Sequence, residues 1–345
     1  MSKIKAVTKY LFFLAVFAAV ALMVFSAAAA FAIYRTRPDR KTAAIWGLGS
    51  KTGYAHVAVY AKGSRAYGAA SPLAYVDDGS SLSVNDVDSI RASLQAIVDQ
   101  AARSRKKSAK KSDQTVKPAA WTDCYSSCLK GPVISGSLGT GEIYEVDIYA
   151  VGGSFENMHP FEFLAGGFLT SDTTDRYQVV LNDAAAWSMF RSYDVIGKRI
   201  GLLGNDYTIT GVVREHEDKD ARAYVHFGRL EDYCKELENP VIPAVMSYEA
   251  IFPEHASGSA RVDLSGAVPG YNISSPSFRV VRVTGRYNVF NALKTEAPHE
   301  FELPYWEEGA LKAEADVKTC AIVFVLGLVM LTGTVIGKVS SKGER

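Results

Sequence analysis

The chain of 345 residues carries 38 basic and 37 acidic side chains, so its net charge is only +1. That balance lacks the net positive charge expected of a nucleic-acid-binding protein, and nothing in it suggests nucleic acid as a partner. Four cysteines in this length are too few to frame a disulfide-rich scaffold.

The first element is an uncharged apolar run over residues 11–33. A helix needs about 20 such residues to cross a 30 Å hydrocarbon core, so a transmembrane helix is predicted there. A second uncharged run, residues 319–336, predicts another. Lys3, Lys5 and Lys9 precede the first run, and Lys338, Lys342 and Arg345 follow the second. Cationic flanks tend to stay on the cytoplasmic side. Residues 1–10 and the tail 337–345 are therefore expected in the cytoplasm of a cell with its plasma or inner membrane spanned twice, and residues 34–318 outside. Arg35, Arg37, Arg40 and Lys41 lie on the outer side of the first run, but long domains translocate with less regard to charge. A cleaved signal peptide is the alternative for this run, because Ser26 to Ala32 holds small residues of the kind that precede a cleavage site. The apolar stretch is long for that role, and an uncut helix is the reading adopted.

Residues 56–60 alternate with a period of two and predict a strand. A helix is predicted from Ser83, a suitable N-cap with Asp86 in the first turn. Its stripe of Val87, Ile90, Leu94, Ile97, Val98 and Ala101 predicts packing on a sheet. Residues 103–111 hold six basic side chains and read as a solvated linker. Residues 142–151 and 177–181 read as strands, and residues 183–190 as a short helix with Trp187 and Phe190 on its apolar side. Residues 199–203 and 207–213 flank Gly204 and Asn205, a hairpin signal. Residues 278–283 make one more strand, and residues 306–318 a helix leading into the second apolar run. The external part therefore reads as α+β with a β-rich inset near its centre.

Five segments in the middle follow one another in a set order: residues 159–169, 178–182, 185–190, 194–198 and 207–213. They comprise an apolar run closing on Gly166 and Gly167, a strand, a short helix, a turn at Gly197 and Lys198, and a strand carrying Gly211. In this order, between two membrane spans, they resemble the extracytoplasmic core domain of MacB-like ABC transporter permeases. The resemblance covers about 60 residues. It implies a larger α/β part, residues 42–150 and 215–310, carrying the β-rich inset, residues 151–214. It also implies a non-catalytic subunit whose external domain relays motion from a cytoplasmic motor by rigid-body movement. The glycines read as structural: Gly211 within a strand predicts a bulge or a close backbone approach. Such permeases usually have four membrane helices, whereas two are expected here. No G-x-x-x-x-G-K-[ST] motif occurs, and Gly47 to Thr52 lacks the full spacing. A separate ABC ATPase subunit and a further permease subunit are therefore the expected partners, together with the lipid bilayer; no cofactor is implied.

Cys124 and Cys128 are four residues apart next to Trp121, in what reads as a surface loop. A local disulfide, two thiols and a metal site are the alternatives. Cys234 is expected to be buried, and Cys320 to pack at the edge of the second span. His216 and His226 bracket Glu215, Glu217, Asp218 and Asp220, but their spacing matches no defined cation loop, and a solvated linker is expected. Neither G-x-S-x-G nor H-E-x-x-H is found, so no catalytic residue is assigned. Gly327, Gly333 and Gly337 suit close helix packing. A stand-alone, membrane-anchored binding or sensor protein is the alternative to the transport reading.

Overall fold

A computed structural model describes residues 2–37, 39–48, 53–62, 64–66, 73–76, 81–108, 120–136, 141–169, 175–215, 220–256, 258–272, 277–293, 301 and 303–343. The chain opens with α1 (Ser2–Thr36) and α2 (Asp39–Trp46), followed by β1 (Gly53–Ala61), the short β2 (Ser64–Ala66) and β3 (Leu73–Val76), and α3 (Val84–Ser108). Then come β4 (Thr122–Ile134), β5 (Ile143–Gly153), α4 (Phe155–Met158), β6 (Glu162–Gly166), β7 (Gln178–Asn182), α5 (Asp183–Phe190), β8 (Arg199–Leu202) and β9 (Asn205–Arg214). The chain closes with β10 (Arg222–His226), α6 (Phe227–Glu236), β11 (Ser247–Glu254), α7 (Ser259–Ala267), β12 (Phe278–Arg282), α8 (Val289–Ala292) and α9 (Tyr305–Gly343). The fold is α+β, with two apolar terminal helices flanking a sheet-rich domain. By internal contacts it divides into two units: Lys41–Thr284 with Pro298–Tyr305, and Met1–Arg40 with Gly285–Ala297 and Trp306–Arg345.

The larger unit is built on one mixed sheet in the order β12-β1-β11-β4-β5-β10-β7-β9-β6, with β8 pairing to β9 and β4. One face is covered by α3 and α7, where Val87, Ile90, Leu94, Ala260 and Leu264 pack on Val57, Val59, Tyr248 and Ala250. The start of α3 is fixed reciprocally: the Ser83 N–H donates to Asp86 Oδ2 at 2.8 Å, and the Asp86 N–H to Ser83 Oγ at 3.3 Å. The helix runs on to Ser108, so the first part of the basic stretch, expected as linker, is helical. Residues beyond Ser108 in that stretch lie outside the described residues.

In α5 the buried residues are Ala185, Ala186 and Met189, while Trp187 is 48% exposed. The expected placing of Trp187 on the apolar side is therefore corrected. Asn182 caps this helix, its side chain accepting from the Ala185 N–H at 2.9 Å. The β8–β9 hairpin turns one residue earlier than expected: Leu202 pairs with Asn205, leaving Leu203 and Gly204 as the loop. Both have positive φ, 48° and 70°, as a two-residue type I′ turn requires. Gly211 sits at a register shift between β7 and β9. A Cβ there would lie 2.1 Å from the Gly167 carbonyl oxygen, so this is the close backbone approach that a strand glycine predicts.

The smaller unit is an antiparallel helix pair. Lys338 Nζ lies 3.6 Å from the centroid of Phe12, Gly327 meets Ala19 and Met23, and Ile33 packs with Ala310 and Ala313. A Cβ on Gly327 would lie 2.8 Å from Met23 Cγ and 3.0 Å from the Ala19 carbonyl oxygen. At Gly333 and Gly337 such a Cβ meets nothing within 4 Å, so Gly327 is the glycine of the three that α1 approaches closely. Lys9–Thr36 and Tyr305–Lys338 are long and apolar enough to cross a membrane. Their large side chains face outward, Phe25 at 75% exposure, which suits lipid rather than water.

Candidate functional site

Three buried polar assemblies stand out among the described residues, one in the helix pair and two in the sheet domain. In the helix pair, Arg286 is buried against α9. Its Nη1 and Nη2 donate to the two carboxylate oxygens of Glu307 at 2.6 and 2.9 Å, and its Nε to Glu314 Oε1 at 3.0 Å. Glu307 and Glu314 are two helical turns apart and so share one face of α9. Burial acts to lower the Arg286 pKa, but the two carboxylates outweigh it and hold the guanidinium charged. The neighbouring Tyr287 hydroxyl donates to Asp39 at 2.5 Å and accepts from Arg37 Nε at 3.2 Å. Residues 286 and 287 thus tie the end of α1 to the first turns of α9. The forked guanidinium bond is directional as well as strong. This assembly fixes geometry and has no group poised for chemistry.

In the sheet domain, the register assembles a second site on the face opposite α3 and α7. Cys124 on β4 pairs directly with Glu249 on β11, and directly paired residues share a face. His56 on β1 pairs with Ile251, two residues from Glu249, and joins the same face. Gly153 lies opposite Cys124 with φ of 70°, and a Cβ there would lie 2.6 Å from the Asp123 carbonyl oxygen. This glycine lets β5 turn tightly over β4 into α4, which brings His159 onto Glu249. Glu249 Oε2 accepts from His56 Nε2 at 2.7 Å, and Oε1 from His159 Nε2 at 3.0 Å. Burial works to raise the Glu249 pKa, but His159 and then His56 outweigh it and hold the carboxyl well below its ordinary range. An ionised carboxylate only accepts, so both Nε2 atoms carry a proton. His56 Nδ1 lies 3.2 Å from Thr42 Oγ1. The Cys124 thiol is pushed up by burial, and next by Glu249.

The same face continues as an aromatic layer. His159 stacks on Phe155 with centroids 4.5 Å apart, and Phe161 lies 5.2 Å from Phe168 and 5.4 Å from Tyr224. The Tyr224 hydroxyl donates to Glu215 Oε1 and lies 2.7 Å from the Tyr305 hydroxyl. Arg222 Nη1 donates to Glu215 Oε2 at 2.7 Å, and its guanidinium lies 4.0 Å from the Tyr305 ring centroid. Asn182 Nδ2 adds a bond to Glu215 at 3.1 Å. Burial first of all raises the Tyr224 and Tyr305 pKa values. With the Tyr305 hydroxyl donating to Oε1 at 3.0 Å, Glu215 is committed to four donors, an arrangement suited to holding a shape rather than moving protons.

Of the residues singled out in the sequence, Cys124 and Cys128 both lie on β4, not in a surface loop, and neither is in a disulfide. Residues four apart on a strand are separated by roughly 13 Å, beyond the about 7 Å a disulfide can bridge, so a local disulfide, one of the three alternatives for this pair, does not fit the extended strand. Cys234 is buried, as expected, and Cys320 is half-buried. His216, Glu217 and Asp218 lie outside the described residues. Glu215 belongs to the cluster just described, and His226 closes β10, its pKa lowered by burial and by Arg176. Sequence reasoning passed over His56, Glu249 and His159 as site residues, and Arg286, Glu307 and Glu314 with them. The one local signal is the rarity of Glu within a stretch that is otherwise apolar and buried.

Residues 12–242 match the family model described as MacB-like periplasmic core domain. The periplasmic region of MacB from Actinobacillus actinomycetemcomitans is similar at 14% identity and a TM-score of 0.42, over 74% of this chain and 97% of that one. The extracellular domain of the noncanonic ABC-type transporter YknZ from Gram-positive bacteria is similar at 11% identity and a TM-score of 0.42, over 66% of this chain and 99% of that one. Comparison with curated proteins gave no match.

Proposed function

Since the chain belongs to the MacB-like periplasmic core domain family, we propose that it is a non-catalytic membrane subunit of an ABC-type transport or mechanotransmission complex. A separate cytoplasmic ABC ATPase drives it, a further permease subunit completes the membrane part, and its external domain passes on the motion. Both termini lie in the cytoplasm of the cell membrane. One observation carries this reading: α9 is unbroken over 39 residues, and its polar first turns are gripped by Arg286 through Glu307 and Glu314. A helix held this way moves as a rod together with α1, and rigid-body motion is what a relay needs. The antiparallel pairing of α1 with α9 supports a common side for the two termini. The clusters around Arg286 and Glu215, whose side chains are engaged with one another, support a role without chemistry of its own.

The test is co-purification. The full chain, tagged at its C-terminus, is extracted in mild detergent. An ATPase and a second permease are expected to come down with it, and the complex to hydrolyse ATP. Recovery of the chain alone in several detergents would overturn the proposal and favour a stand-alone binding or sensor protein.

A further inference from the structure

We propose that Cys124, His159 and Glu249 form a binding site for a thiophilic divalent metal ion of the zinc class. One ligand atom from each of the three lies within 4.8 Å of the other two. Donors at zinc bond lengths of about 2.0–2.3 Å in a tetrahedral shell lie roughly 3.3–3.8 Å apart. The site therefore closes on an ion through side-chain shifts of about an ångström or less. It is also built by backbone geometry rather than by chance proximity on a surface. Cys124 and Glu249 are locked side by side by strand pairing, and the turn at Gly153 delivers His159.

Charge and softness agree on the ligand. A thiolate and a carboxylate together cancel a double positive charge, which meets the cost of burying all three. Thiolate and imidazole select zinc-like ions over magnesium and calcium, which prefer all-oxygen shells. The metal side chains are oriented from behind: His56 Nε2 donates to Glu249 Oε2, while Oε1, which His159 Nε2 meets at 3.0 Å, is the oxygen offered to the ion, and Thr42 Oγ1 meets the far side of the His56 ring. Such outer partners are what a metal-binding carboxylate requires. His159, at 12% side-chain exposure the most accessible of the three, marks the way in. Three protein ligands leave a fourth position for water. On binding, the Cys124 thiol proton goes to solvent, and the His159 proton shifts from Nε2 to Nδ1, freeing the Nε2 lone pair.

The full chain, purified in mild detergent and stripped with a chelator, is titrated with Co²⁺ as the optical probe and Zn²⁺ as its competitor. One equivalent per chain is expected, with a thiolate-to-cobalt charge-transfer absorption that Zn²⁺ abolishes. Cys124→Ser should lose that absorption, and His159→Gln should bind at least about ten-fold more weakly. His56→Gln, a positioning change, should cost on the order of 10–100-fold in affinity. Glu249→Gln disturbs the core, so the near-isosteric Cys124→Ser, checked for an unchanged circular dichroism spectrum, decides the matter. Absence of the absorption in the parent chain overturns the proposal. So does an absorption that survives in Cys124→Ser and disappears when Cys128, Cys234 or Cys320 is replaced.

Discussion

At Gly211 a methyl group would stand 2.1 Å from the Gly167 carbonyl oxygen, where no rotamer change can relieve it because both partners are backbone. Gly211→Ala is expected to destabilise the domain by about 1–3 kcal/mol, read as a lowered midpoint in thermal unfolding of the detergent-purified chain. Glu254 offers a test by pH. Its carboxylate accepts from Arg282 Nε and Nη2 at 3.0 and 2.6 Å and from the Gly258 N–H at 2.8 Å. Burial acts to raise its pKa, but these donors outweigh it and lower the pKa from its ordinary value of 4.5. A carboxyl depressed in the folded state stabilises above its unfolded pKa and loses that contribution as pH falls through the folded value. Glu254→Gln should therefore unfold roughly 2–4 °C below the parent chain at pH 7, and the gap should shrink steadily below about pH 4.5. A gap independent of pH would assign the effect to packing.

At the scale of elements, the grip on α9 depends on one cation facing two carboxylates. Arg286→Met leaves Glu307 and Glu314 buried without their partner, which costs about 3–5 kcal/mol. Adding Glu307→Gln and Glu314→Gln to that variant removes the stranded charges and should restore most of the lost stability, as differential scanning would show. Failure of the triple variant to recover would mean that the directional fork itself holds the helix. Elements written in local pattern were legible in the sequence: α3 from its stripe and cap, α5 between residues 183 and 190, the β8–β9 hairpin within one residue. β4 was not, because Ser126 and Ser127 are fully buried and blur the alternation. Ser126 is accommodated by Ser247, 2.7 Å away on β11. β11 was missed too, since Glu249 and Pro253 are poor strand residues. Pro253 is tolerated because it lies past Ile251, where the pairing of β11 with β4 ends. Of the metal-binding candidates Cys124 was singled out, but its association with His159 and Glu249 was illegible for a further reason: it depends on strand register, and no local window contains it.

For the whole molecule, the antiparallel pairing of α1 and α9 predicts that reporters fused at either end fall on the same side of the membrane. A fluorescent protein at the C-terminus should mature and a periplasmic phosphatase there should stay inactive; the reverse would invert the assigned topology. The sheet has another consequence, this time for synthesis. β1 sits between β11 and β12, and His56 and Glu249, which meet across β1 and β11, are 193 residues apart in sequence. At roughly 5–20 residues per second, both edges of β1 wait on the order of 10–40 s for their neighbours to be made. Contacts so distant along the chain also make for slow closure, and unpaired edges invite pairing with other chains. A message cut short before residue 247 would yield a β1 that never finds either neighbour, so incomplete chains of this protein should be conspicuous clients of the cell's proteases.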